Sequence, residues 1–389
     1  MRIIYCSQAM KDSDFNNFVK NANWDINPSN QNFHLRLIRA LASQGPITAV
    51  TLRPFSIGLF DERLLSEAIS KDEDIIFKYS SDKATRFYQL FQRGLSLRKQ
   101  ISREIKDSKE EVVFVVDALK YSLAKAAIKV ALKYRIKIFA VITDNPRLLS
   151  GVSKTYIKTV ESLFRHYDGF LTLTLKLNDY ANRFKKPNYT FAGLAESTSP
   201  SKIKITKPYF FFGGALYERY GVMNLINAFK KVKTDYQLLI AGHGPLIEAI
   251  EVMAKEDSRI RYLGLLSKED LISYQCSAVC NINPRPFDQK LDDYSVPSKV
   301  LEYLSVGVPL ISTMNGALHK QFCGEAIWIK DGGEDELRKA MELFLLFNPE
   351  DIKKKALLAK EKVLSIYGLE IQGRAIYDFI AVNNSSSSN

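Results

Sequence analysis

The sequence predicts an α/β protein with two parallel, doubly wound sheets, each in a domain of its own. Its 389 residues exceed what one hydrophobic core usually serves, so two domains are the default expectation. Short apolar runs alternate with segments of helical spacing along most of the chain, which is typical of parallel sheets covered by helices. A polar, proline-bearing stretch, 195–208 (AESTSPSKIKITKP), interrupts this alternation, and the alternation then restarts. We therefore expect the domain boundary near residue 200.

Five apolar runs in the first half are short enough to be buried strands. Segments with helical spacing, such as 33–45 (FHLRLIRALASQG), separate them and would cover the sheet. The predicted strands are 2–6, 47–52, 111–117, 137–143 and 168–174. Together they define a first domain over residues 1–195.

The same pattern predicts a second domain over residues 196–365. Its expected strands are 209–214, 236–242, 259–264, 278–284, 309–313 and 326–329. Helical segments follow residue 334, and we expect the last of them, 366–384, to pack back on the first domain. The serine-rich end, 385–389, is expected to be disordered.

Composition favours a globular protein outside the membrane. Hydrophobic residues make up 46% of the chain, and no apolar run approaches the eighteen residues of a membrane span. The first residues show no signal peptide, so a cytoplasmic location is expected. Four cysteines without CxxC spacing predict reduced thiols and no disulfides.

The net charge of +12 is concentrated in the first half. Residues 1–200 hold 31 Lys and Arg against 20 Asp and Glu, whereas the remainder is nearly balanced. This asymmetry suggests an anionic partner for the first domain: a membrane surface, a phosphorylated lipid or an acidic polymer.

Segment 120–137 places Lys125, Lys129 and Lys133 on one helical face, either as a membrane-facing surface or as an ordinary solvated face. A second basic segment, 93–106, strengthens the prediction of peripheral contact at the inner face of the membrane, while no nucleic-acid-binding module is recognised.

Lys299 lies in the first turn of a predicted helix that begins near Pro297 and ends at Gly307, with Ser295 as a candidate cap. A cation there is unfavourable by roughly 0.3–1 kcal/mol, because aligned peptide dipoles make a helix N-terminus positive. A bound phosphate would reverse this, pairing with Lys299 and accepting from Ser298 and the first amides.

Glycine-rich turns follow two neighbouring strands of the same domain, where ligands bind in open α/β sheets. Gly213 and Gly214 follow one strand, and Gly242-His243-Gly244 follow the next. Arg285 comes after a third strand, just ahead of the Lys299 helix. Glu302, one turn into that helix, could accept hydrogen bonds from sugar hydroxyls.

From about 209 to 345 the sequence resembles the nucleotide-sugar-binding half of the GT-B glycosyltransferases, especially the family-4-like bacterial enzymes that build surface polysaccharides and glycoconjugates. Four motifs in order carry the resemblance: GGALYERYG, AGHGPL, RYLGLLSKEDLISYQC and PSKVLEYLSVGVPLIST. The resemblance implies two Rossmann-like domains facing a cleft, and a helix at 298–306 that binds the donor diphosphate. The implied donor-binding set is Gly213, Gly214, Arg219, Gly242, His243, Gly244, Leu265, Arg285, Tyr294, Pro297, Ser298, Lys299 and Glu302.

The sequence departs from the family pattern at two places. Tyr294 stands where the first glutamate of the usual acidic pair is expected, so Asp292 or Asp293 would have to replace it. The usual basic residues after the double glycine are Ala215 and Tyr220, which leaves Arg219 and Lys299 to supply the positive charge.

Two residues of the first domain are candidates for work on the acceptor. Asp144, after a strand, could act as a base, although Asp-Asn-Pro also makes a good turn. His34 could orient an acceptor hydroxyl, or serve as a cap or packing residue. Lys299 completes the set of candidate catalytic residues.

The predicted function is therefore metal-independent glycosyl transfer, without a cofactor, from a UDP-sugar to a glycan, lipid-linked or glycoconjugate acceptor. Two alternatives remain open: a non-catalytic GT-B subunit that binds glycan or a partner enzyme, and a nucleotide-sugar epimerase. A homo-oligomer is a further candidate assembly. No zinc-type cluster, GxSxG motif or Walker loop is present in the sequence.

Overall fold

The computed structural model describes residues 1–22, 28–55, 58–60, 64–106, 110–149, 151–198, 203, 206–314 and 316–385. The chain forms two compact units, Met1–Leu194 with Leu369–Asn389, and Ala195–Gly368. Each contains a largely parallel sheet covered by helices, so the predicted fold class is confirmed. The predicted tail lies almost wholly outside the described residues, since Ser385 ends the last helix.

The first unit is built on an eight-stranded sheet in the order β10-β9-β8-β7-β1-β2-β5-β4. Every strand pair is parallel except β4 with β5, and β3 and β6 form a separate two-stranded ladder. Its strands are β1 (Arg2–Ser7), β2 (Ile47–Thr51), β3 (Leu64–Leu65), β4 (Ala68–Asp72), β5 (Ile75–Tyr79), β6 (Asp82–Lys83), β7 (Val112–Asp117), β8 (Ile138–Ile142), β9 (Gly169–Thr172) and β10 (Asn188–Thr190). Its helices are α1 (Asp12–Lys20), α2 (Ser29–Ala42), α3 (Arg93–Lys106), α4 (Tyr121–Tyr134), α5 (Lys154–Glu161), α6 (Leu175–Ala181) and, from the end of the chain, α15 (Leu369–Ser385).

The central strands of this sheet are mostly apolar and buried because helices cover both faces. Strands β7 and β8 are buried throughout. Helix α15 packs against α2, and a Cβ added at Gly373 would lie 1.8 Å from the carbonyl oxygen of Ala40. A residue without a side chain at 373 therefore permits this close approach of the two helices.

The second unit is built on a six-stranded parallel sheet in the order β13-β12-β11-β14-β15-β16. Its strands are β11 (Tyr209–Gly213), β12 (Gln237–Ala241), β13 (Ile260–Tyr262), β14 (Cys280–Asn283), β15 (Leu310–Thr313) and β16 (Ile327–Ile329). Its helices are α7 (Val222–Lys231), α8 (Ile247–Glu256), α9 (Lys268–Ser277), α10 (Gln289–Asp292), α11 (Ser298–Val306), α12 (Gly316–Gln321), α13 (Glu334–Leu346) and α14 (Pro349–Tyr367).

Parallel pairing brings the carboxyl ends of β11, β12, β14 and β15 to one edge of this sheet. Gly213 pairs in register with Ala241, so the glycine turns that follow the two strands are neighbours. All four cysteines are free thiols. No helix in the described ranges is both long and apolar enough to cross a bilayer.

Candidate active site

Lys299, in the first turn of α11, points back to the end of β11. Its Nζ donates to the carbonyl oxygen of Gly213 at 2.6 Å and lies 5.8 Å from the ring centroid of Phe212. Within the described part of the chain, no carboxylate oxygen lies within 4.0 Å of this ammonium. Burial lowers the pKa of Lys299, while the charge of Glu302 opposes that shift. Lys299 is therefore a desolvated cation at the edge of the sheet rather than a solvated surface lysine.

Two glycines make room for this arrangement. A Cβ added at Gly214 would lie 1.8 Å from Nζ of Lys299. A Cβ added at Gly242, which has a φ of +141°, would lie 1.8 Å from the carbonyl oxygen of Gly214. Backbone hydrogen bonds join the two turns. The Gly214 amide donates to the Ala241 carbonyl oxygen at 2.9 Å, and the Leu216 amide donates to the His243 carbonyl oxygen at 2.9 Å.

Helix α11 begins without a side-chain cap. The predicted cap, Ser295, does not accept from the helix, and its buried Oγ has no hydrogen-bond partner within the described residues. Pro297, which the sequence placed in the first turn, precedes the helix in an extended conformation. The Val300 amide donates to the Pro297 carbonyl oxygen at 3.0 Å, so the amides of Ser298 and Lys299 are left to an external acceptor, which makes this helix start suitable for an anion.

Tyr303, which the sequence analysis missed, holds the glycine turn in place. Its buried hydroxyl accepts from the Gly213 amide at 3.0 Å and lies 3.3 Å from the Gly213 carbonyl oxygen. The preceding Glu302 is half-buried. The sequence gives little indication of this role, because a tyrosine on the sheet-facing side of a helix is also common in ordinary core packing.

The other two predicted cations are arranged differently. Arg219 is exposed and its guanidinium lies 5.4 Å from the ring of Tyr217 and 5.0 Å from the ring of Tyr220. Arg285 donates to Asp292 at 2.9 Å. Burial raises the pKa of Asp292, and Arg285 opposes the shift. Asp292, one of the two suggested replacements for the missing glutamate, is therefore held by Arg285 in this structure.

The remaining predicted donor residues lie in loops at the same edge or along it. His243 is exposed in the turn after β12, and Leu265 is exposed in the loop after β13. Tyr294 is half-buried ahead of α11. Gly244 also approaches backbone closely, since its added Cβ would lie 2.4 Å from the carbonyl oxygen of Leu216. All of them belong to the second unit.

Asp144 follows β8 in the first unit and is half-buried. Burial raises the pKa of its carboxyl, and the charge of Asp117 raises it further. The turn that Asp-Asn-Pro predicted is closed by Asn145, whose Oδ1 accepts from the Arg147 amide at 3.0 Å. The carboxyl of Asp144 is therefore not used as a turn acceptor, which favours its reading as a candidate base.

His34 is fully buried, which favours the packing role that the sequence left open over direct contact with an acceptor hydroxyl. Its Nδ1 lies 2.7 Å from the Tyr5 hydroxyl, and its Nε2 lies 3.2 Å from Oδ2 of Asp117. Because both ring nitrogens face buried groups, the ring presents no edge to solvent in this structure. His34 is placed to position Asp117 instead.

Asp117, at the end of β7, is a second residue that sequence reasoning missed. It is fully buried and also accepts from Asn30 at 3.3 Å and from the Leu119 amide at 3.0 Å. Burial alone would raise its pKa, but the charges of His34 and Lys120 and the hydrogen bonds from His34 and Asn30 together lower the pKa below the ordinary value. The available signal was the carboxylate that ends the strand EVVFVVD, next to the strand that precedes Asp144.

Within the described ranges, no three His, Cys, Asp or Glu side chains are grouped so that they could hold a metal ion. Three features of the donor side suit an anion: a desolvated ammonium, an uncapped helix start and a glycine turn that leaves room for the ammonium.

Residues 207–346 match the family described as glycosyl transferases group 1. A comparison with curated proteins finds no matching sequence. Solved structures do match. Sucrose-phosphate synthase from Thermosynechococcus elongatus superposes with a TM-score of 0.67 and 12% identity, covering 98% of this chain and 100% of that one.

Two further structures show the same likeness. HepE of Anabaena in complex with UDP has a TM-score of 0.64 and 11% identity, covering 98% of this chain and 100% of that chain. The lipopolysaccharide outer core galactosyltransferase WaaB has a TM-score of 0.61 and 13% identity, covering 98% and 99%. Identities this low show the fold alone. The chain has the GT-B fold, and its residues 207–346 match glycosyl transferases group 1.

Proposed function

We propose that this protein transfers a sugar from a UDP-sugar to a hydroxyl of a glycan, lipid-linked or glycoconjugate acceptor in bacterial surface polysaccharide synthesis. One observation carries the proposal. The desolvated ammonium of Lys299 lies at an uncapped helix start and is hydrogen-bonded to a backbone carbonyl rather than to a carboxylate. A half-buried ammonium that contacts no carboxylate among the described residues is costly to desolvate, and an anionic ligand would relieve that cost.

The leaving group of glycosyl transfer is the anion that this site suits. When the bond between the anomeric carbon and the diphosphate oxygen breaks, negative charge grows on the diphosphate. Lys299, Ser298 and the first amides of α11 would stabilise that charge from fixed positions, which is usually the largest electrostatic contribution to catalysis. Gly214, without a side chain, leaves room for the Lys299 ammonium at this site, and Glu302 would accept from the ribose hydroxyls.

Asp144 is the acceptor-side base that we propose. The acceptor oxygen forms its bond to the anomeric carbon, its proton passes to the Asp144 carboxylate, and the nucleoside diphosphate leaves. A carboxyl with a raised pKa is a better proton acceptor near neutral pH than an ordinary one. Asp117, held by His34, would set the electrostatic surroundings of Asp144.

The choice of UDP rests on similar structures. HepE of Anabaena has been solved with UDP and with UDP-glucose, and a trehalose-phosphate synthase from Burkholderia vietnamiensis is described as UDP-forming. WaaB is a galactosyltransferase of the lipopolysaccharide outer core, which supports a surface glycan or its lipid-linked precursor as the acceptor class.

The test is incubation of the full chain with a panel of UDP-, GDP- and ADP-sugars, with and without a bacterial lipid extract as acceptor. We expect release of UDP that depends on the acceptor, and its loss in Lys299→Ala. A changed sugar without UDP release would favour an epimerase, and donor binding without any turnover would favour a non-catalytic subunit. Either of those results would overturn the proposal.

A further inference from the structure

Four large apolar side chains of the first unit form an exposed stripe. Phe87, Leu90, Phe91 and Leu95 are 64%, 67%, 65% and 56% exposed. They lie along a π-helical turn, Tyr88–Gln92, and the start of α3, and the rings of Phe87 and Phe91 are 5.3 Å apart. Single exposed apolar residues are ordinary, but a contiguous cluster of this size marks an interaction surface.

The segment that carries this stripe is firmly attached to the unit by its opposite face. Tyr88, Leu97 and Ile101 are buried. Arg93 pairs with Asp82 at 2.8 Å and donates to the carbonyl of Phe55 at 3.1 Å. Since the inner face is packed and bonded, the outward position of the apolar stripe is a property of the folded unit.

The stripe continues along α3 as a basic surface. Lys99, Arg103 and Lys106 follow Leu95 at helical spacing and are exposed, and Arg103 also pairs with Glu67 at 2.7 Å. Lys83 and Arg86 precede the stripe and are exposed as well. An apolar strip bordered by cations at both ends is the pattern of a helix that lies in the surface of an anionic bilayer.

The neighbouring helix enlarges the same basic surface. Helix α4 packs against α3. Its exposed residues include Lys125, Lys129 and Lys133, together with Leu132, which is 62% exposed. Two adjoining helices thus present cations around one apolar stripe.

We propose that Phe87, Leu90, Phe91 and Leu95 insert into the outer part of an anionic lipid bilayer, with the lysines and arginines of α3 and α4 on the headgroups. Charge complementarity selects this occupant. A second copy of the chain placed on the same surface would bring like charges together, whereas acidic headgroups neutralise them. The inference concerns the first unit and holds whether or not the donor site binds UDP.

The test uses the full chain and vesicles of neutral lipid alone or with about a third of anionic lipid. The wild type should sediment with the anionic vesicles. Phe87→Ser, Leu90→Ser and Phe91→Ser together should lower that partitioning by about tenfold or more, because apolar contact with the acyl region is lost. The matched control is Leu346→Ser with Leu357→Ser and Leu358→Ser, which removes exposed leucines from the second unit and should leave partitioning unchanged.

A second measurement distinguishes insertion of the apolar stripe into the bilayer from electrostatic attraction to its surface. The variant Phe91→Trp should shift its fluorescence to the blue on anionic vesicles and be quenched by brominated lipid. No vesicle binding, or binding that the triple serine variant retains in full, would overturn the proposal. A concentration-dependent dimer that the triple variant abolishes, seen by analytical ultracentrifugation without any vesicle binding, would identify a second copy as the occupant and would equally overturn it.

Discussion

Lys299 combines two unfavourable conditions, a position in the first turn of a helix and a largely desolvated ammonium. Each alone disfavours the charged form. The hydrogen bond to Gly213 and the nearby charge of Glu302 offset part of this. At the residue scale, the proposed diphosphate would offset the remainder, since it would bring a negative charge into contact with the ammonium.

The lowered pKa of Lys299 makes a prediction about pH. As pH rises through a pKa below the ordinary 10.5, the ammonium loses its proton and its attraction for a diphosphate. UDP affinity should therefore fall as pH rises toward 10.5 in the wild type, at a lower pH than an ordinary lysine would allow. Lys299→Arg should hold its affinity over this range, because the guanidinium stays charged and any titration of UDP itself affects both proteins alike. Parallel calorimetric titrations check this, and identical pH profiles would count against the assignment.

Asp144 and Asp117 give a second prediction at this scale. A carboxylate base works only when deprotonated, so kcat/KM should fall as pH drops through the raised pKa of Asp144. Asp117→Asn removes a negative charge that raises this pKa, so the acidic limb of the pH–rate profile should move to lower pH. Asp179→Asn, an exposed substitution of equal charge in the same unit, should leave the limb in place. An unmoved limb in Asp117→Asn would remove Asp144 from the mechanism.

At the scale of residues, the sequence predicted only part of the candidate site. Lys299 stood out because its charge contradicts the helix dipole, and Asp144 because it follows a buried strand. The role of His34 stayed open, because sequence cannot distinguish a histidine that faces a ligand from one enclosed by Tyr5 and Asp117. Asp117 was passed over for a related reason, since its importance depends on contacts with residues far away in the chain.

At the scale of elements, the turn after β11 and the start of α11 depend on each other. Gly214→Ala should displace the Lys299 side chain, since its Cβ would occupy the position of Nζ. The atom that the new Cβ would displace is the end of the flexible lysine side chain, so we expect the fold to be retained. UDP binding should weaken about as much as in Lys299→Ala. In a Lys299→Ala background, Gly214→Ala should cost little more. Additive losses in this double-mutant cycle, measured by calorimetry, would contradict the proposed contact.

Two other glycines serve as controls for that prediction. Gly242→Ala has no flexible neighbour to displace, because its Cβ would meet the Gly214 carbonyl and its φ of +141° disfavours a side chain. It should lower the free energy of unfolding by more than about 1 kcal/mol. Gly324→Ala has open space around its Cβ and should change neither stability nor binding.

The sequence predicted those elements whose apolar pattern is strong. Strands β1, β7, β8, β11 and β12 are apolar runs buried on both sides, and each lies within one or two residues of its predicted position. The hairpin of β4 and β5 was missed, because β4 is a partly charged, largely exposed strand without an apolar run. The uncapped start of α11 could not be predicted either, since Ser295 looks like a cap until its buried hydroxyl is seen.

At the scale of the whole molecule, the excess of positive charge in the first half of the chain can be tested directly. Lys125, Lys129 and Lys133 are exposed on α4, and Lys125 and Lys133 lie over the rings of Tyr121 and Tyr134. Their joint replacement by glutamine should weaken binding to anionic vesicles, and added salt should do the same, because surface attraction is screened within about 10 Å at 0.1 M. UDP binding should survive, since these lysines belong to the first unit. If neither salt nor the substitutions weaken vesicle binding, the exposed face of α4 is an ordinary solvated helix face.

The central claim is that Lys299 makes the second unit a diphosphate site, and calorimetric titration of the full chain with UDP tests it most directly. Lys299→Ala should weaken binding by about 1.5–3 kcal/mol, the range for hydrogen bonds to charged groups, without a change in the unfolding transition. Lys255→Ala, an exposed lysine of the same unit, is the matched control and should bind as the wild type does. UDP affinity that is equal in the wild type and in Lys299→Ala would contradict the account.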